Sequence, residues 1–365
     1  MKQYLKVQND RKKYHINPFK NTVHRSSLFA PSMHNADTWI TFVNHFLIKR
    51  NYKSVALKLT AIGNTGNLLD SQTIEISEPK VYAFNLSSVF NKFKAFNYLI
   101  EFYSDKNLFV PFPAVIVSHV GKGFCNIVHA YNRILNDVFE NDNINEESVA
   151  ESSIDVLNNK KFDTFFNLAS GMSEVKGDLD IFYEKDKKKI KKKIKVSIPR
   201  LSFKTFYLSK ILPSSAEGGT VKINQPKPDL FFGRMLAGRL NKKTKAFSSN
   251  HSFYDCSKTK EYFNSKESYR TYPYFKEFNN QIIFYPIMSK SNLNIVIEFK
   301  NKNKKIKSNI FKFKTNAKRP LNINVSEIIN KFKLNNINAF TVRAVSSKGK
   351  IPTRVTVSYT HLTLP

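Results

Sequence analysis

Two histidines offer the clearest chemistry in this chain of 365 residues. His129 stands in Val128-His129-Ala130-Tyr131-Asn132-Arg133, and His251 in Asn250-His251-Ser252-Phe253-Tyr254-Asp255. An imidazole titrates near neutrality, ligates metals and pairs with carboxylates. With Tyr131, or with Tyr254 and Asp255, it could also hold sugar hydroxyls. The plainer role is a ring packed at a domain junction and bonded to a backbone carbonyl. That role is favoured here, because structural repetition preserves junctions as readily as sites. Junction residues should be buried and far apart. Members of one site should bring their rings within a few ångströms. A third polar and aromatic cluster, His34 with Trp39, holds the chain's single Trp and is a binding surface or an ordinary anchor.

Three other patterns are weaker. Asp178-Leu179-Asp180 would put two carboxylates on one strand face, where they could hold a hard cation. The matching stretches at Ser54 to Lys58 and Leu293 to Val296 carry no acid pair. The run Lys187 to Lys193 could meet a polyanion, but lysines on a hairpin also keep sheet edges apart, and the second reading is favoured. The sequons at Asn85, Asn250 and Asn324 matter only in a glycosylating compartment. No phosphate loop, dinucleotide turn, zinc-protease helix or nucleophile elbow is present, which argues against the common enzyme classes.

The histidines belong to a repeat. Phe84-Asn85-Leu86-Ser87-Ser88-Val89 recurs as Phe206-Tyr207-Leu208-Ser209-Lys210-Ile211 and as Ile323-Asn324-Val325-Ser326-Glu327-Ile328. The serines are 122 and 117 residues apart, a period of domain size. Leu59 and Ile181 lie 28 residues before their serines, Phe109 and Phe231 lie 22 after, and His129 and His251 lie 42 after. Phe42-Val43-Asn44, Phe165-Phe166-Asn167 and Phe284-Tyr285-Pro286 read as equivalent strands. Each serine is expected to cap a short helix by accepting from an unpaired amide. The copy at Ser209 is cut short by Pro213.

Period-two patterns favour β structure. Ile190, Ile194, Val196 and Ile198 flank Lys193 and Lys195, and Ile310-Phe311-Lys312-Phe313-Lys314 alternates likewise. Turn signals at Gly63 to Asn67, Glu184 to Lys187 and Lys300 to Asn303 place a hairpin at the same point of each repeat. Residues 136–153, acidic and polar, and 256–277, Tyr-rich, read as linkers.

A hydrophobic content of 41% with 32 Phe is enough for packed cores and rules out a disordered chain. The net charge of +31 would ordinarily indicate nucleic acid or an anionic surface. Abundant Lys, Asn, Ile and Phe with eleven Gly also fits an AT-rich genome, so part of that charge is compositional. Nucleic acid is therefore disfavoured as a partner. The longest apolar run, Phe109 to Val117, holds two prolines and is far short of a membrane span. Two cysteines at different repeat offsets, Cys125 and Cys256, form no metal-type spacing, and no secretory signal precedes them, so a cytoplasmic protein is expected. No cofactor is expected.

Phe340-Thr341-Val342-Arg343-Ala344-Val345-Ser346-Ser347-Lys348-Gly349 resembles a strand and turn of an immunoglobulin-like or fibronectin-type sandwich. With the threefold pattern, the resemblance implies an all-β chain of three tandem modules, residues 25–140, 152–258 and 275–360, each with one short helical crossover. Val357 to Pro365 resembles a tail found in unrelated gene calls from environmental sequencing, where reads run into adapter. His361 would then carry no functional weight; the alternative is a genuine final strand. The leading functional expectation is a non-catalytic protein presenting a binding surface to a glycan or a partner protein. The alternatives are an enzyme, with or without a metal, around His129 and His251, and electrostatic binding to nucleic acid or an anionic surface.

Overall fold

The computed structural model describes residues 24–33, 35–106, 108, 115–129, 133–134, 150–185, 187–226, 235–254, 267–284, 292–301, 304–314, 321–346 and 355–361. The protein is all-β, built from antiparallel sheets. The strands fall into three sets. The first holds β1 (His24–Pro31), β2 (Ala36–Val43), β3 (Ala56–Ile62), β4 (Leu68–Glu75), β5 (Val81–Asn85), β6 (Asn97–Ser104), β7 (Val115–Gly121), β8 (Phe124–His129) and β9 (Arg133–Ile134). The second holds β10 (Ala150–Asp155), β11 (Phe162–Ala169), β12 (Val175–Lys185), β13 (Lys188–Ile198), β14 (Phe203–Tyr207), β15 (Thr220–Asn224), β16 (Leu236–Asn241), β17 (Phe247–His251) and β18 (Phe253–Tyr254). The third holds β19 (Glu267–Pro273), β20 (Phe278–Phe284), β21 (Asn292–Asn301), β22 (Lys304–Lys314), β23 (Leu321–Asn324), β24 (Ala339–Ser346) and β25 (Val355–His361).

One strand order serves all three sets. Sheets β4-β3-β6-β1-β9 and β5-β2-β7-β8 are matched by β13-β12-β15-β10-β18 and β14-β11-β16-β17, then by β22-β21-β24-β19 and β23-β20-β25. The five inner strands pair as B, C, C′, E and F do in an immunoglobulin-type sandwich. The first and last strands depart from that pattern. β1 lies beside β6, where strand G would be, and β7 lies beside β2, where strand A would be. The paired antiparallel sheets are consistent with a β-sandwich, while the placing of the end strands departs from the immunoglobulin order. The Tyr-rich stretch expected as a linker includes strand β19, whose Tyr269 and Tyr272 stand opposite Arg343 and Phe340 of β24. The final residues include β25, which pairs with β20 from Phe278↔His361 to Phe284↔Val355.

Alternation explains most strands. On β13, Val196 and Ile198 are buried while Lys191, Lys193 and Lys195 are exposed. β11 does not alternate: every residue from Asp163 to Ala169 is buried. Phe166 and Leu168 belong to the second set's own core, whereas Phe165 packs with Leu236 and Phe247 against the core of the first set. A strand covered on both faces loses its period-two signal. That cost three residues of register in the sequence alignment. The ladders Ile40↔Phe84, Phe166↔Phe206 and Ile282↔Ile323 make Ile40, Phe166 and Ile282 equivalent, so Phe42 matches Leu168 and not Phe165.

The repeated serines are equivalent, but they are not the caps. Helices Leu86–Val89 and Val325–Lys331 start at Asn85 and Asn324, whose side chains accept from the amides of Ser88 and Glu327. The 3-10 turn Leu208–Lys210 has no side-chain cap. Each serine is the second residue of its turn and ties it to the neighbouring strand. Ser87 Oγ accepts from the Thr38 amide and Ser326 Oγ from the Asn280 amide, both at 3.0 Å. Ser209 instead donates its hydroxyl to the Asp163 carboxylate.

The first two sets are docked. Phe29, Ile62 and Leu99 form one cluster with Ala169, Leu201 and the partly buried Phe203, and Asn97 Nδ2 donates to the Leu201 carbonyl at 3.2 Å. Gly66, in the β3–β4 turn, has φ +79, and a Cβ there would lie 2.0 Å from the Arg200 carbonyl oxygen. Gly66→Ala is expected to cost about 1–3 kcal/mol through backbone strain alone, and more through the blocked contact. Urea denaturation and limited proteolysis check this. A variant as stable and as protease-resistant as the parent would show that the turn does not hold the two sets together.

Candidate functional site

The registers make the two histidines structural equivalents. His129 closes the row Ala83–Thr41–Ile116–His129, and His251 closes Thr205–Asn167–Leu236–His251. Each is the last residue of the strand that ends its second sheet. The expected separation is not found. The two rings meet edge to face with centroids 4.4 Å apart. The reason is that β8 runs alongside its own counterpart β17. Phe124 meets Phe247 at 5.2 Å between centroids, and the Ser249 amide donates to Asn126 Oδ1 at 2.6 Å.

His251 is 4% exposed, and its Nδ1 lies 2.7 Å from the Ser252 carbonyl oxygen. A carbonyl only accepts, so Nδ1 carries the proton and Nε2 is the basic nitrogen. His129 is half-buried. Burial and a backbone carbonyl are features of a junction, whereas the ring contact is a feature of a shared site. Among the described residues, no group of three or more His, Cys, Asp and Glu is placed to hold a metal ion. Tyr131, Asp255 and His34 lie outside the described residues, and Tyr254 is described by its backbone alone, opposite Glu151.

A different histidine, His119, carries a large electrostatic perturbation. His119 is fully buried, and its Nε2 lies 3.0 Å from the Pro31 carbonyl. Burial pushes its pKa down to about 4 against the pull of that carbonyl. The register gives Arg239 the same position in the second set, where its guanidinium pairs with Asp155. Both residues therefore tie β7 or β16 back to the first strand of the set. Their role is structural, and no spacing in the sequence announces it.

Trp39 is half-buried on the outward face of β5-β2-β7-β8. Beside it Asn85 Nδ2 approaches Asp37 Oδ2 at 3.4 Å. The same face carries Ile116, Val120, Cys125 and Ile127, with Val43 opposite Val81 at its far end. Ile127 and Val81 are each 62% exposed. The alternation Cys125-Ile127-His129 was the available signal. It was obscured because Val128, on the opposite face, is apolar as well.

Asp178 and Asp180 lie on one face of β12, opposite lysines of β13 in the ladder. Asp178 pairs with Lys193 at 3.3 Å, and Asp180 stands opposite Lys193 in the ladder. The lysine run lies on β13, the edge strand of its sheet, with Lys191 Nζ over the Phe182 ring at 5.3 Å. No described helix is long and apolar enough to cross a membrane. The fold and these surfaces define an all-β protein of paired antiparallel sheets. No family model matches the chain, and no curated protein matches it.

Proposed function

We propose that the chain is a non-catalytic protein of three tandem β-sandwich modules, residues 24–134, 150–254 and 267–361, that presents a binding surface to another protein. The observation that carries this reading is a difference between equivalent faces. In the second module the outward residues Phe165, Leu236 and Phe247 are buried against the first. Their equivalents in the first module are Trp39, Ile116 and Cys125, and Cys125 is exposed. Exposed apolar side chains gathered on one face, here Val43, Val81, Val120 and Ile127, mark an interaction site. Trp39 beside Asp37 and Asn85 could stack on a sugar, but the apolar area extends to Val43, Val81 and Ile127, well past one sugar ring. That extent favours a protein partner over a glycan.

The alternative, a metal-dependent enzyme centred on His129 and His251, makes a separate prediction. Metal titration of the purified protein followed by calorimetry distinguishes the two. The expected result is no stoichiometric zinc or manganese binding, and a lower Tm for His251→Ala, because a buried carbonyl loses its partner. Stoichiometric binding that disappears in His251→Ala would overturn the non-catalytic reading.

A further inference from the structure

We infer that the outward face of β5-β2-β7-β8 docks a second copy of this chain, which inserts the turn between its β19 and β20. The inference rests on the reading that this face binds protein, and it names the partner. Two halves of one repeated interface motivate it. In the first, the β1–β2 turn presents Met33, which packs against the apolar cluster shared by the first two sets. Asn167 Nδ2 donates to Met33 Sδ at 3.7 Å. Asn167 lies on the outward face of the second set, in the row equivalent to Thr41, Ile116 and His129. The knob of one set thus seats on the outward face of the next.

The second half is the same knob and the same face, both at the surface. The register makes Phe275 the equivalent of Met33. The two turns share their hydrogen bond, Ala36 N to Met33 O and Phe278 N to Phe275 O. Phe275 is 43% exposed and packs edge to face on Phe278. Asn280 fixes the turn, its Nδ2 donating to the Phe275 carbonyl at 2.7 Å and its Oδ1 accepting from the Phe275 amide at 3.2 Å. The complementary face is the exposed one on the first set, around Trp39, Ile116 and Ile127. A held aromatic knob and a rigid apolar face need little ordering to associate. The contact joins different surfaces of two copies, so it is heterologous and can continue past a dimer. The charge of +31 opposes it, so added salt should strengthen association by screening repulsion between copies.

Sedimentation velocity of the full chain at rising concentration, in moderate and in high salt, is the test. The expected result is concentration-dependent species larger than a dimer, favoured by salt. Ile127→Asp damages the face and Phe275→Ser the knob; each alone should associate about thirtyfold or more weakly. Mixed together, the two variants retain one good face and one good knob between them, and should form a 1:1 complex that grows no further. Far-UV circular dichroism checks that both remain folded, and slower alkylation of Cys125 in the associated wild type gives a readout on the face itself. A wild type that stays monomeric in high salt overturns the inference. So does association that survives both substitutions, or a mixture that fails to form the complex. A monomeric chain removes the second copy alone, whereas stoichiometric metal binding lost in His251→Ala removes the binding reading beneath it.

Discussion

Lowering the pH from 6.5 to 4 is expected to remove roughly 3 kcal/mol of stability from the first set of sheets through His119 alone. The ring is fully buried, and its Nε2 donates to the Pro31 carbonyl, so the neutral form satisfies that nitrogen. Nδ1 has no partner among the described residues. A second proton would place a cation beside the Phe247 ring, 5.4 Å away between centroids, with no water to solvate it. The folded pKa is therefore about 4 against an ordinary 6.5. Between those values the unfolded chain binds the proton and the folded chain does not. Stability is thus fully present above pH 6.5, falls as the pH drops, and stops falling below about 4. His45 adds a contribution of the same sign. Its pKa is also held near 4, first by burial and then by the positive charges of Arg50 and Lys49. A typical domain has only about 5–15 kcal/mol to lose. Urea denaturation at pH 7, 5.5 and 4 measures the effect. His119→Asn keeps a donor for Pro31 and removes the titration, so its stability should depend less on pH. Equal stability of the wild type at pH 7 and 4 would refute the assignment.

Asn280→Ala should cost the third set about 3 kcal/mol, from three lost side-chain hydrogen bonds at about 1 kcal/mol each. Asn280 is fully buried at the crossing of three segments. Its Nδ2 lies within hydrogen-bond distance of the Phe275 and Phe278 carbonyls and of Ser326 Oγ. Alanine takes one donor from each carbonyl and the Oδ1 acceptor from the Phe275 amide, leaving the Phe278 amide on Phe275 O and Ser326 Oγ on Phe278 O. Ser326→Ala removes one acceptor from the Asn280 amide and should cost less, about 1–2 kcal/mol. Hydrogen exchange of the β20 and β24 amides reads the effect locally. If both variants lose the same small amount, the Asn280 side chain does not organise the turn.

The sequence showed the parts of this fold that depend on short-range pattern. The repeated serines mark equivalent turns because each one ties a turn to the neighbouring strand of its sheet. The hairpin positions, the lysine-bearing face of β13 and the equivalence of His129 with His251 were legible for the same reason. What was hidden depends on packing between sets. β11 lost its alternation because Phe165 is buried by the first set and Phe166 by the second. The meeting of His129 and His251 follows from β8 lying alongside β17, which repeat offsets cannot reveal. The helix cap went to Asn85 and Asn324, two positions before the expected serines, because Asn and Ser are about equally good caps. Phe275 was read as linker because its neighbours are polar and aromatic without a period.

The exchanged end strands have a consequence for synthesis. β1 pairs with β6, from His24↔Ser104 to Pro31↔Asn97, and β2 pairs with β7, from Ala36↔Gly121 to Phe42↔Val115. Within its set β1 leaves the ribosome ahead of its partners, and therefore waits for nearly the whole set before it gains one in its sheet. Loop closure over such spans makes folding slow, and open strand edges persist while the chain grows. The β3–β4 hairpin, with ends close in sequence, is positioned to form early, but it closes nothing by itself. Each set is thus committed late and as a whole, and a chain interrupted before β6 loses the anchoring of β1 rather than one strand from its end.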